Sequence, residues 1–518
     1  MKKHDTAREI KIRNYLHELR VLVRKQPLYE LLMVLSGFMW PNNFAYEDLR
    51  NRLKKNNEVL DKFKTFIPLL AKYAILNSND HVKMNDREIN KFYSDLERAI
   101  NLIIEIKDLM PIELIGSSKF ILSARKFTLA NQQFPQREDP KNYMVRFILL
   151  YKTIPQELKL EIDISQAIEE NFKMSIDRLY LILLKTLLSY KGEWVSKGKY
   201  LGLNSDPYYF KEEELNNFFN TLLIDYEKFR DISNDKKLSL TGYATQFYGF
   251  SAFDKYPILE NNSKIIIPSP YHFLKRITQS IYFDLLEYFQ KGNDLRDNSF
   301  SRYFGKIFEN YVGKQLEYLK DGSLLVEEFE FDKDKKKFAD WTIVYSDSLI
   351  LIEVKKNLLP NSTKYLMNET NLMEVLNRGI VKGLKQCADK IKYTKNKIKG
   401  LEKFSMIKKF YPVVVIFDDS YLLNDTFIRS IIDKSLVELQ IEFENDWQVI
   451  TTRELEKIVT VCSEENRFID LLNDKISNQE KLCADWERYF LADGYSITEN
   501  QLLKETFTNE LELINKMN

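Results

Sequence analysis

The period of the apolar positions changes about halfway along the chain. Up to about residue 235, apolar residues recur three and four apart over 29–39, 88–110, 143–154 and 175–190, the spacing of amphipathic helices. Breaks rich in Pro, Asn and Gly fall at 41–43, 77–80, 132–140 and 192–207. No period repeats, so a solenoid is not expected. Another charged amphipathic helix is expected over 211–230. The pattern then shortens. Residues 257–259 and 264–267 flank the polar stretch 260–263 as a hairpin, and a helix follows over 272–289. Beyond Gly292 the pattern predicts a helix over 301–319, striped by Phe304, Phe308, Tyr311, Val312 and Leu316 and bordered by Glu309. Next come two strands, 338–345 and 348–355, joined by the turn Ser346-Asp347. A basic helix over 379–403 leads to an apolar strand, 411–417. The rest reads as a helix over 424–439, a strand over 447–451, a helix over 454–459 and a charged helical tail, 463–518.

The second of the paired strands is unusual. Side chains alternate along a strand, so Leu349, Leu351, Glu353 and Lys355 share one face while Ile350, Ile352 and Val354 share the other. A strand apolar on both faces is buried on both faces. Two charges at the end of such a strand need partners, because unpaired buried charge is costly. A metal ion is one partner that would serve, and Asp340 on the neighbouring strand would supply a second carboxylate.

Asp340, a turn, then Glu353-Val354-Lys355 on an apolar strand resembles the PD-(D/E)xK nuclease superfamily, with Ala339 in place of the family's proline. The order of helix, three strands, helix and strand over about 296–460 is similar to the family core. The resemblance implies an α/β nuclease core, a central mixed sheet flanked by helices, in the C-terminal half. A large mainly α-helical N-terminal region precedes it. It implies Mg²⁺ (or Mn²⁺) held by Asp340, Glu353 and the carbonyl of Val354. Lys355 would orient the attacking water, and Glu309 would be the acidic residue of the first helix. Gln386 falls where many members carry a polar residue that reaches the site. The implied activity is metal-dependent hydrolysis of phosphodiester bonds, in DNA foremost, and the implied setting is bacterial restriction or antiphage defence.

Composition narrows the alternatives. At 518 residues the chain is too long for one core. The expected division is a helical region at 1–250 for regulation, substrate binding or partner docking, a hairpin and connecting helix at 251–295, the nuclease-like block at 296–460 and the tail at 461–518. A fragment beginning near Leu240 is expected to fold and cleave by itself. The tail, mixed in charge, reads as a solvated face. A net charge of +1 removes any whole-chain argument for a polyanionic partner, so basic surface must be local. The helix over 379–403 supplies it, with Lys382, Lys385, Lys390, Lys392, Lys395, Lys397, Lys399 and Lys403 against Asp389 and Glu402. Of these, Lys382, Lys392, Lys395 and Lys399 are the candidate phosphate contacts, with Gln386 beside them. Residues 332–337 read as a solvated hairpin loop, and Asp418-Asp419 as a strand-end turn.

Three separated cysteines and four histidines at no metal-ligand spacing argue against zinc and against a disulfide framework, and fit a cytoplasmic protein. No apolar run spans a bilayer. Without a GxxxxGK[ST] loop no ATPase activity is expected, so an ATPase or other protein partner and an oligomer remain open. Two readings compete with the free-standing nuclease. One is a non-catalytic nucleic-acid-binding or scaffold protein that keeps the fold. The other is a nuclease subunit active only with its partner.

Overall fold

The structure is a computed structural model that describes residues 2–40, 66–79, 89–109, 139–197, 210–233, 251–290, 298–356, 369–417, 424–463 and 465–516. It is mainly helical, with two mixed sheets and a small ribbon. Eleven strands occur among these residues: β1 Val195–Ser196, β2 Leu223–Ile224, β3 Ile258–Asn261, β4 Lys264–Ile266, β5 Leu324–Glu327, β6 Glu330–Phe331, β7 Lys336–Lys337, β8 Trp341–Val344, β9 Ser348–Lys355, β10 Lys409–Ile416 and β11 Gln448–Thr451. Among the described residues, no helix is long and apolar enough to cross a membrane.

The larger sheet has the order β11-β10-β9-β8-β5. β5, β8 and β9 pair antiparallel, whereas β9, β10 and β11 run parallel. Parallel neighbours need a crossover. The helix Lys382–Lys395 provides one between β9 and β10, and the helix Thr426–Glu438 another between β10 and β11. The alternation expected along β9 holds. Ile350 and Ile352 join the core that includes Phe304, Phe308 and Tyr311 of the helix Ser299–Leu316. Leu349 and Leu351 turn to the other face, against Phe338, Cys387 and Phe404.

The smaller sheet has the order β1-β4-β3-β2 and stands between two cores. Ile258, Ile265 and Ile267 belong to the core that continues into the larger sheet. Leu259 and Ile266 belong to a second core, built with the helices Leu28–Met39, Ile67–Asn77 and Ile89–Leu109. The hairpin is thus a shared wall, each side chain assigned to a core by the two-residue period. Ser36 and Trp40 fasten the first helices to it, donating from Oγ and Nε1 to the carbonyl of Ile267 at 2.8 and 2.9 Å.

One core runs across the expected boundary. The main core draws on residues from Trp40 to Leu503 and shows no break near residue 250. A buried ion pair crosses it, Arg146 Nε donating to Glu456 Oε1 at 2.5 Å, and Tyr311 of the helix Ser299–Leu316 donates to the same oxygen. The tail is not a solvated face either. Phe468, Trp486, Tyr489, Phe490 and Leu503 are buried in this core, and Glu510 pairs with Lys152.

Several boundaries shift. The helix expected over 272–289 is two, Pro270–Thr278 and Ile281–Tyr288. The helix expected over 211–230 is split by β2 into Glu212–Leu222 and Tyr226–Ser233. Residues 332–337 include β7, which pairs with β6 as a ribbon. Asp418 and Asp419 lie outside the described residues.

Candidate active site

The site forms where the β8–β9 pairing runs out. That pairing extends from Val344↔Leu349 to Trp341↔Ile352, so β9 continues past β8 through Glu353, Val354 and Lys355. The backbone N–H of Val354 has outrun its strand neighbour. It donates instead to Asp340 Oδ2 at 2.7 Å, because a buried N–H must find an acceptor. The sequence-predicted Asp340, Glu353 and Lys355 therefore meet, and the Val354 backbone lies among them. Lys355 Nζ is 2.8 Å from Glu353 Oε2 and 3.5 Å from Asp340 Oδ2.

Glu353 is 1% exposed, the most enclosed of the three. Burial first, then the charge of Asp340, pushes its carboxyl up to about 7 against the pull of Lys355 and Lys390. Burial by itself would lower the Lys355 ammonium, but Glu353 and Asp340 outweigh it and hold it above its ordinary value. Glu353 Oε1 is buried with no hydrogen-bond partner. A buried orphan acceptor is costly and calls for a cation or a water.

Glu309 arrives from the helix Ser299–Leu316. Burial, then Asp340 and Glu328, lift its carboxyl to about 7. Trp341, the residue after Asp340, sets this helix in place. Its Nε1–H donates to the Glu309 carbonyl at 2.9 Å. Its ring fills the space left by Gly313, where an added Cβ would fall 2.0 Å from Cζ2. Lys356, on the opposite face of β9 from Lys355, donates to the Ser301 carbonyl at 2.7 Å and ties the strand to the start of the same helix.

The basic helix closes the other face. A π-turn, Asn377–Val381, precedes it, and the α-helix proper ends at Lys395, so Lys397, Lys399 and Lys403 lie beyond it. Gly383 permits its close approach: a Cβ there would stand 3.0 Å from Val414 Cγ2 and 3.5 Å from Glu353 Cβ. Gly383, Gln386, Cys387 and Lys390 follow helical spacing toward the sheet. Gln386 is half-buried and its Oε1 has no partner. Lys390 turns inward, its Nζ 3.7 Å from Glu353 Oε1, which is ion-pair distance and too long for a hydrogen bond. By sequence, Lys390 counted only among the surface charges. Its spacing from the buried positions 383 and 387 is the signal that separates it. Lys382, Lys385 and Lys392 are exposed, while Lys395 pairs with Glu444 at 2.5 Å.

Among the described residues, no group of three His, Cys, Asp and Glu side chains is placed as a metal cluster. The oxygens on offer are two close carboxylates, one with an orphaned Oε1, with Glu309 and the Val354 main chain beside them. No protein-family model matches this chain, and no curated protein matches it.

Proposed function

We propose that the chain is a metal-dependent nuclease of the PD-(D/E)xK type, hydrolysing phosphodiester bonds in nucleic acid, DNA foremost. The observation that carries this reading is the meeting of Asp340, Glu353 and Lys355 where β9 outruns β8. The arrangement of helix, three antiparallel strands, crossover helix and parallel strand supports it.

The residues fit a hard divalent cation. Such ions take oxygen ligands and keep several waters, so Asp340 and Glu353 with the Val354 carbonyl are a sufficient protein set for Mg²⁺. Glu353 Oε1, buried and without a hydrogen-bond partner, is the oxygen most open to a further cation. When bound, the ion would acidify water and offset the charge of the phosphoryl oxygens. Lys355 positions water through its ammonium and balances the negative charge that grows during attack. Lys390 holds Glu353 from the far side. Glu309, lifted to about 7, can accept or return a proton near neutrality. The covered faces of β9 keep bulk water from Glu353.

The test is cleavage of plasmid and labelled oligonucleotides by the full-length chain with Mg²⁺ and with EDTA, in parallel with Glu353→Ala. Cleavage that needs Mg²⁺ and disappears in the variant supports the proposal. Cleavage by the variant at the parent rate refutes it.

A further inference from the structure

Two lysine-rich segments that are far apart in sequence lie side by side. Residues 333–337 and 395–403 together hold eight lysines and two acids, in a chain whose net charge is +1. The N–H of Asp332 donates to the Lys399 carbonyl at 3.2 Å, joining the turn of the β6–β7 ribbon to the turn after the helix Lys382–Lys395. Gly400 allows that approach. Its φ of +94° disfavours other residues, and a Cβ there would sit 3.1 Å from Phe331 Cβ. Beneath the two turns, Phe338 stacks on Phe404 at 5.2 Å between centroids, and Phe331 meets Tyr393 at 5.7 Å. Lys403 is held over the Phe329 ring at 3.7 Å. The lysines therefore stand on a packed aromatic base.

Some of them are neutralised within the protein. Lys337 pairs with Glu328, Lys336 with Asp332 and Lys395 with Glu444. Lys333, Lys335, Lys397, Lys399 and Lys403 are exposed and make no ion pair among the described residues. Lys337 lies three residues before Asp340 and Lys333 seven. The extended reach of the chain places them within about 10 and about 25 Å of the site. At about 3.4 Å per nucleotide along one strand, that is roughly seven steps or fewer of duplex.

We propose that this two-turn ridge holds the phosphodiester backbone of a nucleic-acid duplex beside the Asp340–Glu353 site. The proposal rests on the nuclease reading for its orientation, and it moves the principal phosphate-binding positions from the helix to the two turns. A backbone bound this way is read by charge and spacing, so the ridge confers affinity without sequence preference.

The experiment is a titration of fluorescent duplex DNA and duplex RNA in EDTA, over a range of salt, with the full-length protein and with the variant Lys333→Gln, Lys335→Gln, Lys397→Gln, Lys399→Gln. All four side chains are exposed, and a thermal melt checks that the variant folds. The expected result is at least about tenfold weaker binding at low salt. The slope of log K against log salt should also be shallower by about 0.9 for each B-DNA phosphate that is no longer neutralised. The duplex whose slope changes identifies the backbone. An unchanged slope, or no binding of either duplex by the parent protein, overturns the proposal. Ridge-dependent binding without Mg²⁺-dependent cleavage would leave the ridge standing and remove the nuclease reading. Cleavage with an unaltered slope would do the reverse.

Discussion

Two hairpins, β3–β4 and β8–β9, are buried on both faces and yet serve different ends. In β3–β4 the pairing reaches Asn261↔Lys264, and Asn262 and Ser263 close the turn with φ of 51° and 62°. Both central residues have positive φ, which matches the right-handed twist of the strands. The apolar residues of that hairpin are divided between two cores, and its polar residues are at the tip. In β8–β9 one strand has eight residues and the other four. The overhang removes a backbone partner from Val354, brings in the Asp340 side chain and leaves Glu353 enclosed at the end of an apolar strand. Burial on both faces makes a wall. A wall whose strands differ in length ends in charged side chains held close together.

This contrast can be broken most severely by deleting the helices behind the first hairpin. Removal of residues 1–250 takes away most of the second core and opens the first. The fragment should lose its near-UV circular dichroism and its cooperative melt. A folded, cleaving fragment would instead restore the boundary expected near residue 240. Next in size, Glu353→Ala should lower the single-turnover rate by about 10³-fold, with far-UV circular dichroism unchanged. The corresponding change in the wall, Ile266→Ala, should cost about 3 kcal/mol in urea unfolding while leaving cleavage below the melt intact. An equal loss of cleavage there would mean that the two hairpins are not separable in function.

An effect confined to higher pH follows from the titration of Glu353. Its carboxyl is raised from 4.5 to about 7 in the fold. Between those values the unfolded chain gives up its proton while the folded chain keeps it, so rising pH favours unfolding. Below 4.5 the contribution vanishes, and above 7 it is fully present. Glu353→Gln, which cannot ionise, should therefore raise the melting temperature at pH 8 in EDTA and leave it nearly unchanged at pH 4. Added Mg²⁺ should narrow the gap at pH 8 by stabilising the parent. An equal rise at both pH values would separate the effect from ionisation.

Much of the candidate site was legible because it is local. Leu349 to Lys355 carry their alternation within seven residues, and Asp340 is thirteen positions from Glu353. Between the helix Ser299–Leu316 and β11, period marks β8, β9, the basic helix, β10 and the helix that follows it, but not β5, β6 or β7. What failed was non-local or very short. β1 and β2 have two residues each, too few for a period to register. The pairing of Arg146 with Glu456 spans 310 positions and leaves no local trace. The tail looked solvated because its charges are frequent, yet Trp486, Tyr489 and Phe490 fall at helical spacing and pack inward. Among the lysines at 382–403, composition could not tell which faces inward. Helical spacing from Gly383 and Cys387, rather than composition, separates Lys390 from Lys392.

The wall formed by β3 and β4 also determines where the chain can change length. Successive residues Ile265, Ile266 and Ile267 belong to alternate cores, so one residue inserted within β4 would send each side chain to the wrong side. Both cores would lose their fit in a single event. The tip at Asn262-Ser263 bears no such constraint, since the residues on either side keep their pairing whatever the loop carries. A peptide tag placed there would report on the protein without disturbing it, whereas the same tag a few residues later would unfold it.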